Sequence, residues 1–518
     1  SILILISIAM SFSLLGQTSN YHSNRILVSF KSDVSDASIA QYQNAFKANE
    51  VAYYPASNVY VWEFSSFPIQ YSLGNQSKML LNINNVNQHA GEIPEVESVG
   101  YDYLFESQEE TANANDAQGT SYTCAGEYNI IAANGIYNTK LSIMDSGFSP
   151  SNAQNDNYFF NIENYTGWNY VNDHSNITDD NDHGSHITSI VNHVSHSFNH
   201  VAPERSYTQY DIRKAFNENG QAYLSDVVGA INDCIQYGVN IINFSFSYKA
   251  ADQANRKSPM QLVIDAAERN NILIITAAGN DYGIDNDVDQ IKTYPASFNN
   301  SNILSVASVS CNGQLSSFSN FGRESIDIAA PGEGIEGLSA DGNLIYLSGT
   351  SQATAIVSGV ANIIASHMET FSYNELKCAI LRGARFEPNL IGKVKTNGVI
   401  DIDNALNYLG NCNIDITENS NARNASEEKS EITNQSSFIY PNPVSDVMNI
   451  SLAGQESHNA NLIIFDLNGR MMHQQQINIT QGKNLISLNM PSQLQNGCYV
   501  VSVKSSEVDL KQMMSLQR

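Results

Sequence analysis

The sequence predicts an α/β protein built from successive modules, and three patterns predict it. Residues 25–106 read as strand, helix, two strands, helix, strand; the middle of the chain sets apolar strands directly before polar turns and helices; the residues after 437 form short alternating strands separated by turn residues. A chain of 518 residues has room for several domains, and 42% hydrophobic content is ample for their cores.

Taken in order, residues 1–16, SILILISIAMSFSLLG, form an apolar run of the length of a signal-peptide core, too short to span a bilayer, with cleavage expected near Gly16. No other stretch is long and apolar enough for a transmembrane helix. The first module (25–106) reads as strand Arg25 to Phe30, helix Ser38 to Phe46, strands Val51 to Pro55 and Val59 to Phe64, helix Gln76 to Gln88 and strand Val96 to Phe105, the split ferredoxin-like βαββαβ order. Residues 107–120 are polar and read as a flexible connector.

Four segments of the central region, residues 121–410, carry chemistry. Leu141 to Met144 reads as a buried strand that delivers Asp145 at its end, where Ser146 and Gly147 permit a tight turn. His183 is followed by Gly184, Ser185 and the apolar run Ile187 to Val191, which predicts a helix beginning at the histidine. Ser351 follows Gly349 and Thr350 and opens a small-residue helix, so a hydroxyl nucleophile would sit where backbone N–H groups favour negative charge. Asn280 ends the segment ITAAGN. A serine needs a histidine to take its proton, a carboxylate to hold that histidine and a donor facing the developing oxyanion; these four segments supply one of each. Singly each has a bland reading as a turn or loop residue, and only their joint occurrence in order outweighs it. His186, three residues after His183, reads as structural.

In these residues the chain resembles the subtilisin-type serine proteases. DSG matches the family's acid at Asp145, HGSH its base at His183, GTS its nucleophile at Ser351 and AAGN its oxyanion donor at Asn280, in the subtilisin order Asp, His, Ser. Val201-Ala202-Pro203, Tyr294-Pro295 and Ala330-Pro331-Gly332 are weaker echoes, and Asn397 to Asp401 resembles the family's closing segment. The resemblance implies a parallel-sheet catalytic domain, a peptide-bond hydrolase needing no cofactor, and a substrate cleft lined by Ser245, Phe246, Ser247, Ala278 and Gly279. Two departures stand out. Ala355 replaces a proline, an expected neutral change because alanine is the best helix former. Ser247 stands where the family often has glycine, so the resemblance does not carry the family's primary specificity pocket over to this chain. The same resemblance makes residues 25–106 an inhibitory propeptide and residues 107–120 the place of maturation.

After a polar linker, residues 411–437, the segment 438–518 predicts a small all-β sandwich. Its YPNP opening, FDLNGR hairpin and NGCYVVSV strand resemble the C-terminal sorting domain of type IX secretion cargo. That resemblance implies export through periplasm and outer membrane, to the cell surface or beyond, with the outer-membrane type IX machinery as a partner.

A net charge of −26 argues against nucleic acid as a partner. Expected partners are protein or peptide substrates and the chain's own propeptide, in a monomer. Cys234 and Cys378 fall in apolar helical patterns and read as buried thiols, while Cys124, Cys311 and Cys412 are candidates for disulfides that spacing does not assign. Asp285, Asp287 and Asp289 alternate in a loop whose oxygens could hold Ca²⁺, although such a run is more often a solvated turn. His174, His193, His196 and His200 form no recognised zinc motif. The alternative to a protease is an inactive, protease-like surface binding protein.

Overall fold

The computed structural model describes residues 21–65, 69–71, 79–81, 90–106, 110–111, 137–149, 165–196, 208–249, 257–283, 286–409 and most of 438–516. The expectations for residues 1–16, 112–120, 201–203 and 411–437, and for Asp285, lie outside the described residues.

The N-terminal module comprises β1 (Tyr21–Phe30), α1 (Asp36–Phe46), β2 (Asn49–Tyr54), β3 (Val59–Glu63), β4 (Ile69–Tyr71), β5 (Met79–Leu81) and β6 (Val96–Glu106). Its antiparallel sheet runs β6-β1-β3-β2. Strand alternation divides the module's apolar residues between two cores. Ile26, Val28, Phe30, Tyr60 and Trp62 pack with Phe46 of α1, whereas Leu27, Val59 and Val61 face the other way into a core of the central domain. One expectation is corrected: within the predicted helix 76–88, Met79–Leu81 is a strand paired with Ile69–Tyr71. A three-residue apolar run is equally compatible with either element, and cross-strand pairing decides it here.

The central domain follows: β7 (Glu110–Thr111), β8 (Thr139–Asp145), β9 (Tyr165–Asn169), α2 (His183–His196), β10 (Thr208–Lys214), β11 (Gln221–Tyr223), α3 (Leu224–Tyr237), β12 (Ile241–Phe244), α4 (Pro259–Arg269), β13 (Leu273–Ala277), β14 (Ile303–Val309), β15 (Ile328–Pro331), β16 (Ile335–Leu338), β17 (Leu344–Ser348), α5 (Thr350–Ser366), α6 (Tyr373–Gly383), β18 (Arg385–Phe386), β19 (Gly398–Val399) and α7 (Ile402–Leu406). The large sheet runs β18-β19-β15-β14-β13-β12-β8-β10-β9, and β15 through β9 pair in parallel. Strands buried on both faces read as continuous apolar runs, as LIITA in β13 and ILSVASV in β14 do. α2 and α5 cover one face, and α3 and α4 the other. Every residue of α5 is buried, and the helix runs unbroken through Ala355.

Cys234 on α3 is a free, buried thiol whose Sγ donates to Ser142 Oγ (3.2 Å), and burial holds it protonated. Cys378 corrects an expectation: it is buried in α6 but disulfide-bonded, as is Cys311. An apolar helical pattern reports burial and is silent on what the sulfur is bonded to.

The unit beyond Thr417 is a separate body. β20 (Phe438–Tyr440), β21 (Val447–Gly454) and β24 (Gly482–Asn489) form one antiparallel sheet; β22 (His458–Asp466), β23 (Met471–Ile479), β25 (Gly497–Lys504) and β26 (Asp509–Leu516) form the other. Met448, Ile450, Leu462, Ile464, Val501 and Val503 share its core. β26, DLKQMMSL, is an edge strand that pairs with β25.

The N-terminal module is joined to the central domain by backbone and side chain. β11 extends its sheet by pairing antiparallel with β6, Ala222 opposite Phe105. Helix α3 begins at an N-cap, Tyr223, that supplies no capping side chain. Asp102 of β6 provides the missing acceptor, taking Ser225 N–H (2.8 Å) and Ser225 Oγ–H (2.9 Å). Asp102→Ala in the full-length chain is therefore expected to cost about 1 kcal/mol, the worth of a helix cap. Urea unfolding of the two proteins, read as a shift of midpoint at constant slope, checks it.

Candidate active site

Asp145 is the last residue of β8, and its carbonyl is held by the N–H groups of Ala215 (3.0 Å) and Phe216 (3.3 Å) beyond β10. Its Oδ1 accepts Ser146 N–H (2.8 Å) and His183 Nδ1 (2.7 Å), with both side chains 2% exposed. A carboxylate on Nδ1 fixes the proton there and leaves Nε2 as the nitrogen able to take another. The turn after the acid and the start of α2 fit against each other through glycines. Gly147 has φ +123°, and a Cβ on Gly184 would stand 2.2 Å from Gly147 O. The DSG and HG motifs are thus two halves of one contact.

Asp179, four residues before the histidine, ties the halves together. Its Oδ1 accepts Ser146 Oγ–H (2.8 Å) and its Oδ2 accepts Ser185 N–H (2.7 Å), while Gly184 N–H donates to Ser146 Oγ (2.9 Å). His186 is fully buried, with Nε2 on Ile335 O (3.2 Å), and burial lowers its pKa to about 3, so it stays neutral. It is structural, as its spacing predicts.

Ser351 is the second residue of α5, near the positive end of a 17-residue helix. Its hydroxyl donates to Ser245 O (2.7 Å), and Ser245 Oγ–H donates to Ser351 O (3.2 Å). Asn243 Nδ2 supports Ser245 Oγ (2.7 Å), and Ser358 supports Asn243 (2.8 Å). Asn280 lies just past β13. Its Oδ1 accepts both Thr350 N–H (3.0 Å) and Thr350 Oγ–H (2.9 Å). A backbone N–H only donates, so this pair settles which end of the amide is oxygen, and planarity turns Nδ2 to the opposite side.

The expected cleft residues follow β12 and β13. Ser245 is buried in the network above, and the Phe246 ring packs against Phe216 (centroids 3.8 Å) and Phe244 (4.3 Å). Ala278 is buried, with its carbonyl taken by Asn320 Nδ2 (3.0 Å). Gly279 has φ +103°, and a Cβ there would lie 2.5 Å from Asn320 Nδ2 and 3.0 Å from Ser247 Oγ. Ser247 therefore stands directly across from Gly279. Of the loop aspartates, Asp289 accepts the N–H groups of Glu324 and Ser325 (2.9 Å each), and Asp287 accepts Asp289 N–H (3.1 Å). Among the described residues no three His, Cys, Asp or Glu side chains converge as metal ligands.

The subtilase family model matches residues 137–460, more than half of the chain. The chain belongs to the subtilase family. Residues 438–515 match a secretion system C-terminal sorting domain, so the subtilase domain is that of a protein exported to the cell surface or beyond. The chain is 30% identical over 236 residues to a thermostable alkaline protease of Halalkalibacterium halodurans, covering 45% of this chain and 60% of that protein. It is 32% identical over 236 residues to the major intracellular serine protease of Bacillus subtilis, covering 45% and 70%. The epidermin leader peptide processing serine protease of Staphylococcus aureus shares the fold, with a TM-score of 0.54 at 18% identity over 76% of this chain and 99% of that one. Among the described residues no helix is long and apolar enough to cross a membrane.

The structure brings Asp145 to His183, as expected, and places the Ser351 hydroxyl on the carbonyl of Ser245, which the sequence offered only as a cleft residue. Sequence reasoning misses Asp179 and Thr350, which hold the base's helix and the asparagine. Asp179 lies four residues before the helix start, outside the position where a capping aspartate is sought, so the local pattern does not single it out. Gly184→Ala is expected to break the contact with Gly147, costing about 1–3 kcal/mol of stability in strain. A thermal melt of wild type and variant reads that loss, and reaction of Ser351 with a fluorophosphonate should fall with it.

Proposed function

We propose that this subtilase is a serine endopeptidase that hydrolyses peptide bonds in proteins, is made as a zymogen and cuts its own chain between Glu106 and Glu110. Ser351 Oγ adds to the scissile carbonyl as His183 Nε2 takes its proton; Asp145 stabilises the imidazolium. The oxyanion meets Asn280 Nδ2 and the backbone N–H of Ser351. His183 then protonates the leaving amine, and water repeats the sequence on the acyl-enzyme. No metal enters these steps. In subtilisin, loss of the asparagine donor costs about 10²–10³ in kcat, a value carried over from that relative.

One observation carries the zymogen reading: the chain lies on both sides of the serine. Upstream, β6 pairs with β11, and its Phe105 stacks on Tyr248 (centroids 4.3 Å), three residues after the Ser245 that holds Ser351. Downstream, β7 pairs with β17, Glu110 opposite Ser348, three residues before Ser351. Four residue steps join Glu106 to Glu110, a reach of at most about 14 Å. Strands β6 and β7 thus pair with chain on the two sides of Ser351, which supports a cut in the chain that joins them.

Ser351→Ala should leave the full-length chain intact, while the wild type gives a mature species with an N-terminus within residues 107–110. N-terminal sequencing reads this outcome. Equal cleavage of both proteins, with no fluorophosphonate label on wild-type Ser351, favours the inactive binding protein instead.

Release of the module is expected to depend on pH. Burial holds the Asp102 carboxyl up at about 6, and burial together with the nearby Asp102 charge holds Asp226 at about 7. Once separated, Asp102 returns toward about 3.9. The joined form then binds more protons, so its stability is fully present at low pH and falls as pH rises through about 4 to 7. Dissociation of the cut module, followed by size-exclusion chromatography, should therefore quicken from about pH 5 to about pH 8, and that dependence should weaken in Asp102→Asn, where Asp226 alone remains.

A further inference from the structure

Lys214 ends β10 directly beside Asp145 in the parallel ladder, yet its side chain is only 2% exposed. An ammonium has three donors, and all three are used. One goes to Ser146 O, one to Phe216 O (3.2 Å) and one to Asp180 Oδ1 (2.6 Å). Two of these acceptors belong to the two halves of the proposed catalytic dyad. Ser146 is the turn that donates its N–H to Asp145 Oδ1, and Asp180 lies in the loop running into His183. Lys214 therefore joins the turn after Asp145 to the loop before His183, as Asp179 does through Ser146 and Ser185.

Packing alone does not ask for this residue. A buried ion pair is seldom worth more than apolar side chains of similar volume, and a leucine or methionine would fill the end of a buried strand. What the lysine adds is geometry and a fixed positive charge. The charge matters because the surroundings of His183 are otherwise acidic: Asp145 on β8, and Asp179, Asp180 and Asp182 on its approach loop. α5, packed on α2, has no charged residue, Glu336 of β16 accepts from Tyr346 Oη (2.8 Å), and His186 of α2 is neutral.

We propose that Lys214 is a positioning residue that locks the turn of Asp145 to the loop of His183 and, by opposing protonation of the imidazole, sets the acid limit of activity. This rests on the serine endopeptidase reading. A base works only when neutral, so each negative charge nearby moves the acid limb of activity upward in pH, and each positive charge moves it downward.

The test compares Lys214→Met and Asp180→Asn with wild type. Kinetics on a peptide substrate are followed across the pH range around the ordinary histidine pKa of about 6.5. Rates are normalised to sites titrated with a fluorophosphonate. Lys214→Met is expected to lower kcat about tenfold with KM unchanged. Its acid limb should move up by about 0.5–1 pH unit. Asp180→Asn, which removes a carboxylate and keeps the ammonium, should move the limb the other way. A merely structural lysine would give fewer titratable sites in both variants and no movement of either limb. Superimposable limbs in labelled wild type and variants would overturn the proposal, whereas an unlabelled wild type would overturn the endopeptidase reading beneath it. Should Lys214→Met fail to fold, Asp180→Asn decides alone, with an unmoved or upward-moving limb against the proposal.

Discussion

The contact between Gly147 and Gly184 is the constraint on which the rest depends. Two backbone segments meet with no room for a Cβ, and this brings the end of β8 within hydrogen-bond reach of the first residue of α2. A carboxylate and an imidazole can be placed on rigid elements only if those elements approach each other closely. Most side chains would hold the turn and the helix apart. Gly184, which lets the helix touch the turn, and Gly147, whose φ of +123° and close approach to Ile177 O shape that turn, are therefore as necessary to the pair as Asp145 and His183 themselves, and the surrounding Ser146, Asp179 and Lys214 bonds act on a contact the glycines have already permitted.

The parallel sheet brings the remaining groups to the same place. In such a sheet all carboxyl ends lie along one edge, so residues that just follow or end neighbouring strands converge there without further design. Asp145 ends β8, Ser245 follows β12 and Asn280 follows β13, three adjacent strands. Ser351 arrives from the helix side, fixed by the full burial of α5. Ser351 is held by a chain of buried hydroxyl and amide groups, Ser358 to Asn243 to Ser245, each satisfied within the core. Such a chain has little freedom to drift, which is what a site demanding sub-ångström placement needs.

What could be read from the sequence follows from what is local. Asp145 and His183 announce themselves because the glycines their turn and helix start require are adjacent in sequence. The parallel strands are legible because burial on both faces leaves apolar runs. Lys214 and Asp102 are illegible for the opposite reason. A lysine in a strand reads as solvent-exposed, and only the tertiary fold reveals three acceptors around it. An aspartate in β6 gives no sign that it caps a helix more than a hundred residues away. The second helix of the N-terminal module fails at Met79–Leu81, where a partner strand outweighs a weak local preference. Cys378 shows the same limit, since burial was legible and bonding was not.

On the proposed zymogen reading, the N-terminal module carries the same logic into regulation. Leu27, Val59 and Val61 are buried in the central domain's own core, and Tyr54 stands over Gly229 of α3, so the module covers apolar surface that α3 would otherwise show to water. Apolar burial of this kind changes little with pH, whereas the Asp102 and Asp226 carboxyls beside it do. An interface built from both is tight while a chain is being folded under one condition and weaker under another, with no change in its shape. The strands on either side of Ser351 add the final element. On the zymogen reading, β6 and β7 are one tethered ligand while the chain is continuous; a cut between them would leave each end to hold on by its own contacts, and effective concentration would no longer favour β7. Cleavage and proton loss thus weaken the module by separate physical routes, and each acts on residues that the other leaves intact.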